Sequence, residues 1–195
     1  LEAYTELDSL GGNDPYSASK AGAEIISQSL RFSYLSKKKC KLATVRARNV
    51  IGGGDWAKDR LIPDCVRALN SEEPLRLRNP NSIRPWQHVL EPLLGYITLS
   101  EKLCNKKNEF YADAWNFSPN LDSQKSVVEI VREVFAHWGC RPRWKEEPVG
   151  PKETNLLLLD NSKAIKYLDW KPILDFHETM EMTVSWYKAY LEGQD

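Results

Sequence analysis

The spacing of apolar residues divides the chain into helical and extended stretches. In residues 14–36, 91–103, 126–138 and 175–191, apolar side chains recur every three to four positions, which predicts four amphipathic helices. Residues 42–47 form a short, mainly apolar run that is typical of a buried strand in a parallel sheet. Helices that alternate with such runs predict an α/β fold.

Shorter elements are predicted between these helices. Residues 63–69 predict a short helix, residues 75–78 alternate as in an exposed strand, and residues 114–117 and 143–145 predict two further strands. The apolar positions of the first helix are Ile25, Ile26, Leu30, Phe32 and Leu35. In the helix over 91–103, which we expect to be a packing helix, they are Leu93, Leu94, Ile97, Leu99 and Leu103. In the last helix we expect the core to receive Met180, Thr183, Val184, Tyr187 and Leu191.

Composition indicates a globular protein without a marked overall charge. The 195 residues, 42% of them hydrophobic, suffice for one substantial domain or a large part of a two-lobed protein. Lysine plus arginine and aspartate plus glutamate each total 27, so net charge does not favour nucleic acid or an acidic membrane surface as a partner. No apolar stretch is long enough to span a bilayer and no signal peptide opens the sequence, so we expect a cytoplasmic protein. Leu1 in place of methionine indicates that the numbering starts inside a longer protein.

The cysteines do not form a metal-binding pattern. Cys40, Cys65, Cys104 and Cys140 are scattered without a C-x-x-C pair. We therefore expect reduced, mostly buried thiols and no metal site.

The start of the first helix carries the candidate chemistry. Asp14 suits a helix N-cap, and Pro15 suits the first helical position. Tyr16 and Lys20 are four residues apart and therefore share one helix face. An ammonium held close to a phenol favours the phenolate, so this pair is suited to acid/base chemistry. The same spacing also arises by chance in many helices, in which case both side chains are simply exposed.

Residues 15–20, with the sequence Pro-Tyr-Ser-Ala-Ser-Lys, resemble the active-site helix of the extended short-chain dehydrogenase/reductases. In that family the tyrosine is the catalytic acid/base, and the lysine binds the nicotinamide ribose and activates the tyrosine. The resemblance therefore implies that Tyr16 and Lys20 are catalytic, that both contact the cofactor, and that the cofactor is NAD.

A second resemblance covers residues 49–56, Asn-Val-Ile-Gly-Gly-Gly-Asp-Trp, and the Arg-Leu-Ile-Pro that follows soon after. Alone, the three glycines indicate a turn, and they do not match the dinucleotide fingerprint. Together the two segments resemble those that mark the CDP-glucose 4,6-dehydratases within the extended family. This implies that Asn49 holds the substrate diphosphate and that the nucleotide pocket is lined by Arg60, Leu61 and Ile62. Arg48 departs from the family, which commonly has glycine there, and a long cation crowds the nicotinamide site unless it points away.

Two further segments contribute candidate ligands. Residues 79–89 alone predict a loop that ends in a core tryptophan, but their resemblance to sugar-nucleotide enzymes implies that Arg84 binds the diphosphate. A guanidinium fork suits phosphate oxygens because it donates paired, charged hydrogen bonds. In the strand over 114–117, Asn116 is either a substrate ligand, as the resemblance implies, or a structural residue. His88 is predicted to be a packed residue and receives no catalytic role.

The resemblance also implies how the chain is divided. Residues 1–56 are predicted to be the carboxyl-terminal part of a Rossmann NAD-binding domain. Residues 57–195 are predicted to be mainly a sugar-nucleotide-binding lobe, with some segments that return to the Rossmann sheet. The predicted fold is therefore α/β, the end of a Rossmann-type parallel sheet plus a smaller mixed α/β substrate lobe. We expect it to be incomplete at its N-terminus, because the family's glycine fingerprint and its C5/C6 acid–base pair precede the tyrosine.

The implied activity is that of an NAD-dependent lyase that converts CDP-glucose to CDP-4-keto-6-deoxyglucose, for deoxysugar and polysaccharide biosynthesis. We expect residues 1–195 alone to be inactive and the full-length protein to be a homodimer or a larger homo-oligomer. Two alternatives remain open at this point. One is another epimerase or reductase of the extended family, and the other is a non-catalytic lobe that only binds a nucleotide sugar or a partner.

Overall fold

The computed structural model describes residues 3–36, 38, 40–71, 73–105, 109–147 and 158–193. Helices and short strands alternate along these residues, as the apolar pattern predicts. The helices are α1 (Pro15–Leu30), α2 (Leu61–Leu69), α3 (Leu90–Cys104), α4 (Val127–Trp138), α5 (Ser162–Leu168) and α6 (Phe176–Leu191). The strands are β1 (Thr44–Ala47), β2 (Val50–Ile51), β3 (Leu75–Leu77), β4 (Ile83–Pro85), β5 (Gln87–His88), β6 (Ala114–Phe117), β7 (Gln124–Ser126) and β8 (Trp144–Glu146).

The strands of the described residues associate in pairs, most of which are parallel. β1 pairs with β6, β2 with β5 and β3 with β8, all in parallel. β4 and β7 are antiparallel, and this pairing places Arg84 opposite Lys125. Parallel pairing requires long crossover connections, which the intervening helices supply.

Local capping signals set the helix ends where the sequence predicts them. The Asp14 carboxylate accepts the backbone N–H of Ser17 at 2.9 Å and so caps α1, which continues into one π-helical turn at Arg31–Leu35. Ser126 opens α4 with a reciprocal capping box, and Gly139 ends it with a left-handed φ of 84°. Asp175 opens α6 in the same way as Ser126 opens α4.

The chain forms two compact units, each assembled from three segments. The first unit comprises Leu1–Ala47, Pro92–Ser118 and Leu159–Lys171. The second unit comprises Arg48–Glu91, Pro119–Leu158 and Pro172–Asp195. The assignment of residues 1–56 to a cofactor domain and of residues 57–195 to a substrate lobe stays a prediction.

The core of the first unit is built around β6. Trp115 and Phe117 of this strand are fully buried, and Leu168 and Trp170 pack against them from α5 and the segment that follows. The Trp115 indole donates to the Tyr111 carbonyl at 3.0 Å, so its one polar atom is satisfied.

The core of the second unit lies among α2, α4 and α6. The inward face of α4 buries Ile130, Val131, Val134 and Phe135, as its apolar spacing predicts. α6 buries Met180, Thr183, Val184 and Tyr187. This cluster joins three helices that lie far apart in sequence, and it holds α4 and α6 in a fixed register.

The apolar faces of α1 and α3 are largely exposed, and on α3 this contradicts the expected packing role. On α1 and the π-helical turn, Ile25, Ile26, Leu30 and Phe32 are exposed. Of the expected packing residues of α3, Leu99 is fully buried, whereas Leu93, Leu94 and Ile97 are exposed. Periodicity identifies an apolar face, but it does not show that the described residues cover that face.

Burial was also overestimated at three other places. Leu191, in the last turn of α6, is exposed because the helix ends beyond the core. β1 is only half-buried, since β6 is its one strand partner in the part of the chain that the structure describes. Cys65 is buried as expected, but Cys40, Cys104 and Cys140 are exposed. None of the described helices has both the length and the apolar character needed to cross a membrane.

Candidate active site

The predicted acid/base pair lies on the first two turns of α1, in the first unit. Tyr16 is 71% exposed, and Lys20 is exposed one turn further on. The Lys20 ammonium lies 5.5 Å from the centroid of the Tyr16 ring, within the range of a cation–π contact. The structure therefore brings the two predicted catalytic side chains together on one accessible face.

Glu24 fixes the helix that carries this pair, one turn beyond Lys20. Its carboxylate accepts Arg46 Nε at 2.7 Å and Thr44 Oγ1 at 2.7 Å, and both donors belong to β1. Burial alone would raise the pKa of Glu24, but the hydrogen bonds from Arg46 and Thr44 outweigh burial and lower it. Sequence reasoning missed Glu24, although its place four residues after Lys20 on the same face is a signal.

A second anchor holds the far end of α1. Arg31 donates to the Leu42 carbonyl at 3.1 Å and to Asp113 at 3.0 Å, and Lys163 reaches the same aspartate at 2.5 Å. Arg31 and Lys163 therefore bind the same carboxylate, that of Asp113 just before β6. These contacts connect the end of α1 with the segments before β1 and β6 and with the start of α5. α1 is thus tied to β1 in its middle, and the residue that follows it is tied to the segments before β1 and β6.

Asn116 is fully buried on β6. Its Nδ2 donates to the Tyr4 carbonyl at 3.1 Å, and its backbone N–H donates to Glu6 at 2.8 Å. Oδ1 is buried and has no hydrogen-bond partner among the described residues. The amide nitrogen therefore has a structural partner, as the structural alternative for Asn116 expects, and its role as a substrate ligand stays a prediction.

Asn49 is the first of the predicted substrate-binding residues in the second unit. Its φ of 43° lies in the left-handed region, which asparagine adopts more readily than most residues. The Asn49 carbonyl accepts the backbone N–H of Gln87 at 3.2 Å, and the buried Gln87 side chain donates to the Arg48 carbonyl at 3.0 Å. Asn49 is therefore held next to the segment that follows Arg84.

The glycine turn after Asn49 packs under α6. A Cβ on Gly53 would lie 2.1 Å from Trp186, and Gly54 has a φ of 82°. Tyr187 donates to the Asp55 carbonyl at 2.6 Å, and burial, with Asp55 nearby, raises its pKa to about 12. Trp186 and Tyr187 of α6 therefore both contact this turn.

The three predicted nucleotide-pocket residues differ in exposure. Arg60 is exposed at the N-terminus of α2, and Leu61 is half-buried. Ile62 is only 3% exposed and packs in the core of the second unit, so its side chain is committed to packing. Of the three, Arg60 and Leu61 are the side chains that a ligand can reach directly.

Arg84 is half-buried on β4, and its Nη1 donates to the Ile83 carbonyl at 2.9 Å. Trp86, two residues on, is buried as predicted, and its indole donates to the Lys125 carbonyl at 3.1 Å. The antiparallel pairing with β7 and this indole bond fix the backbone on which Arg84 is carried.

His88 and Glu91 stabilise the start of α3. The backbone N–H of Leu90 donates to His88 Nδ1 at 3.3 Å, and burial lowers the pKa of His88 against the opposing effect of Glu91. A neutral, packed imidazole fits the non-catalytic role predicted for it. Glu91, which sequence reasoning missed, is buried and accepts the backbone N–H groups of Ile173 and Leu174 at 2.8 and 2.6 Å.

The predicted residues thus form two sets. The first unit holds Tyr16, Lys20 and Asn116, and the second unit holds Asn49, Arg60, Leu61, Ile62 and Arg84. Tyr16 and Lys20 of the first set are suited to proton transfer, and Asn49 and Arg84 of the second set are suited to binding a diphosphate. The roles of these residues stay predictions.

Comparison with known proteins matches the chain to a family model and to curated relatives. The chain matches the family model described as GDP-mannose 4,6 dehydratase over residues 2–183. It is 43% identical to the CDP-glucose 4,6-dehydratase of Salmonella typhimurium, over 98% of this chain and 55% of the relative. It is 26% identical to a dTDP-glucose 4,6-dehydratase of an Actinoplanes species, over 96% of this chain and 55% of that protein. The chain spans about half the length of these curated relatives.

Solved structures share the fold. The dTDP-glucose 4,6-dehydratase from Bacillus anthracis, in complex with NAD, has a TM-score of 0.82 at 23% identity and covers 98% of this chain and 58% of its own. The UDP-glucuronic acid 4-epimerase from Bacillus cereus has a TM-score of 0.82 at 17% identity and covers 97% of this chain and 57% of its own. At such identities the likeness shows the fold alone, and it confirms the predicted α/β class.

Proposed function

Because the chain belongs to the GDP-mannose 4,6 dehydratase family, we propose that it is part of an NAD-dependent 4,6-dehydratase that acts on CDP-glucose. The observation that carries the proposal is the 43% identity to a CDP-glucose 4,6-dehydratase over 98% of this chain. The other dehydratases to which the chain is similar act on dTDP-glucose and are no more than 26% identical in the comparisons above. CDP-glucose is therefore the substrate that the similarity favours.

The residues of the first unit fit a nicotinamide cofactor. Tyr16 and Lys20 present a phenol and an ammonium on one exposed face, and these donors suit the hydroxyl groups of a ribose. When bound, NAD supplies the hydride acceptor for oxidation at C4 of the sugar.

Tyr16 acts as the base in this proposal. As a phenolate, Tyr16 takes the proton of the sugar C4 hydroxyl and becomes the phenol, and Lys20 orients the ring oxygen and keeps positive charge beside it. The contacts of Glu24 to Arg46 and Thr44 hold α1 against β1, so the position of Tyr16 is fixed by the sheet pair and not by a loop.

The second unit binds the diphosphate in this proposal. Arg84 provides the guanidinium fork, and Asn49 provides an amide on a backbone that the Gln87 contacts hold in place. Arg60 and Leu61 contact the nucleotide, whereas Ile62 supports them from the core. The remaining steps, removal of the C5 proton and loss of the C6 hydroxyl, belong to residues outside this set.

The test of the catalytic proposal is turnover by the full-length protein with CDP-glucose and NAD, followed by identification of the product. We expect a 4-keto-6-deoxy sugar nucleotide, and we expect Tyr16→Phe to lower kcat by about 10²- to 10⁴-fold, the usual contribution of a positioned acid or base. Tyr34→Phe is the matched control, since Tyr34 is also exposed and lies on the π-helical turn that continues α1. Full turnover by Tyr16→Phe would end the proposal.

The diphosphate proposal has its own test. Arg84→Lys keeps the charge but loses the fork, and we expect KM for CDP-glucose to rise by about tenfold, the equivalent of one charged hydrogen bond. Lys145→Gln, on exposed β8, is the control for the loss of a surface cation. An unchanged KM would remove Arg84 from the site.

A second candidate activity is 4-epimerisation of a nucleotide sugar. The UDP-glucuronic acid 4-epimerase has the same fold, so the fold by itself does not separate the two reactions. Product analysis separates the two reactions, because an epimerase returns an isomer of its substrate and a dehydratase releases water. A lobe that only binds nucleotide sugar would give heat in calorimetry and no product with NAD.

We also propose a cellular compartment and an oligomeric state for the full-length protein. Four unpaired cysteines fit a reducing compartment, so we place the protein in the cytoplasm. The exposed apolar side chains Ile25, Ile26 and Phe32 on one helical segment favour a homodimer or larger homo-oligomer of the full-length protein. Light scattering after gel filtration tests the assembly, and a monomeric mass would contradict it.

A further inference from the structure

Glu133, His137 and His177 come together in the second unit, although none of them belongs to the predicted site. One ligand atom from each, a carboxylate oxygen or an imidazole nitrogen, lies within 4.8 Å of the other two. Glu133 Oε2 and His137 Nε2 are 3.7 Å apart, and the two imidazole ring centroids are 4.9 Å apart. Two imidazoles and one carboxylate are a donor set that transition-metal sites use.

The local sequence and the helix packing create this cluster. Glu133 and His137 are four residues apart on α4 and therefore share one face. His177 lies in the first turn of α6, which begins at the Asp175 capping box. α4 and α6 pack through a common buried core, so the backbone positions of all three residues are fixed by rigid elements.

His137 provides a separate indication that a ligand binds here. Its side chain is 19% exposed, and Nε2 is buried and has no hydrogen-bond partner among the described residues. The nearest polar atom of the cluster, Glu133 Oε2, is beyond hydrogen-bond range at 3.7 Å. Native proteins seldom leave a buried polar atom without a partner, and a metal ion that takes the Nε2 lone pair would supply one.

We propose that Glu133, His137 and His177 form a Zn²⁺ site that links α4 to α6. Zinc prefers nitrogen and carboxylate ligands in tetrahedral geometry, whereas Mg²⁺ and Ca²⁺ prefer oxygen ligands throughout. Bonds of about 2.0–2.1 Å place the ligand atoms of tetrahedral zinc about 3.3 Å apart, which is close to the Glu133–His137 separation. His177 is exposed, which leaves room for a rotamer change, and in the proposed site its ring nitrogen takes the third position and water the fourth.

The cluster contains one carboxylate and lies next to one described lysine. Lys188 lies on α6, and its ammonium donates to the His137 carbonyl at 3.5 Å. The Glu133 carboxylate, which is 39% exposed, offsets that positive charge and contributes the one anionic ligand. Removal of this carboxylate is therefore expected to weaken zinc binding both by loss of a bond and by loss of charge.

The experiment is a Zn²⁺ titration of the metal-free, untagged full-length protein in competition with a chromophoric chelator, repeated with Co²⁺. We expect Co²⁺ to give the intense visible absorption of a tetrahedral complex, and Zn²⁺ to abolish it. His177→Asn and Glu133→Gln are each expected to weaken Zn²⁺ binding by about 100-fold or more, since loss of even an outer-shell partner costs 10- to 100-fold. Glu101→Gln, which removes an exposed glutamate from α3, is the control and should leave binding unchanged.

His177 is a surface residue, so its replacement is not expected to unfold the protein, and circular dichroism of each variant checks this. Zinc is also expected to raise the unfolding temperature of the unsubstituted protein and of Glu101→Gln, but not that of His177→Asn. Equal Zn²⁺ affinity in the unsubstituted protein and His177→Asn, or a Co²⁺ spectrum that these substitutions do not change, would overturn the proposal. Neither CDP-glucose nor NAD enters the experiment, so its outcome is independent of the proposed catalytic function.

Discussion

Replacement of Glu24 by alanine is expected to destabilise the protein by about 3 kcal/mol, the lower end of the range for loss of one partner of a buried ion pair. The lower end applies because the Glu24 and Arg46 side chains remain 17% and 20% exposed. The substitution removes a charged hydrogen bond of 2.7 Å to Arg46 Nε and a neutral one of 2.7 Å to Thr44. Thr44→Val removes only the neutral bond and is expected to cost about 1 kcal/mol.

Urea unfolding of a double-mutant cycle isolates the pairwise contribution. With Glu24→Ala, Arg46→Ala and the double variant, we expect a coupling energy of about 1–2 kcal/mol, because each single variant leaves one charge partly buried and the double variant leaves neither. A coupling energy near zero would refute the view that this ion pair holds α1 against β1.

The same pair has a pH dependence of known sign. The pKa of Glu24 is lowered in the folded protein, because the hydrogen bonds from Arg46 and Thr44 outweigh the opposing effect of burial. Its contribution to stability is therefore complete above the ordinary glutamate pKa of about 4.3 and is lost as pH falls through the lower folded value. The stability difference between the unsubstituted protein and Glu24→Gln is expected to shrink in acid, and a difference that is constant with pH would contradict the assignment.

Three other substitutions test packing and backbone conformation by thermal unfolding. Gly53→Ala is expected to cost about 1–3 kcal/mol through overlap with Trp186, and an equal cost in a Trp186→Ala background would refute that overlap. Asp169 ends α5 with a φ of 57°, so Asp169→Ala is expected to cost about 1 kcal/mol while Asp169→Gly costs nothing, and equal effects would exclude backbone strain as the cause. Phe135→Ala is expected to cost about 3–5 kcal/mol in the core of the second unit, against less than about 0.5 kcal/mol for the exposed Phe32→Ala, and similar losses would contradict the burial assigned to these rings.

Helix ends were the most predictable part of the fold. Each N-cap side chain accepts a hydrogen bond from the backbone N–H three residues further on, as Asp14, Ser126 and Asp175 do. Gly139 ends α4 in a left-handed backbone conformation. Such signals are local, so they can be identified in the sequence before the fold is known.

Strand pairing and burial could not be predicted in the same way. The antiparallel pairing of Arg84 with Lys125 joins segments that no short pattern connects. The apolar spacing of Ile25 and Phe32 predicted a helix face correctly, but not that the face is exposed. Exposure depends on which other segments reach the face, and this is a property of the tertiary structure.

The candidate site was predictable where its chemistry depends on sequence spacing. Tyr16 and Lys20 share a face because helix geometry requires it, and the structure places the ammonium near the ring. Ile62 was assigned to the pocket with its neighbours, but its side chain is needed in the core. The i,i+4 spacing of Glu133 and His137 is visible in the sequence, whereas His177 joins them only through the packing of α6 on α4.

The interleaving of the two units limits how the protein can be dissected. Each unit draws on three separated stretches of chain, so no single break in the polypeptide yields both units intact. A break after Ser118, for example, distributes each unit over two fragments and separates β3 from β8 and β4 from β7. Fragment complementation, in which two inactive peptides regain structure only on reassociation, is therefore the appropriate dissection strategy, and expression of one isolated lobe is not.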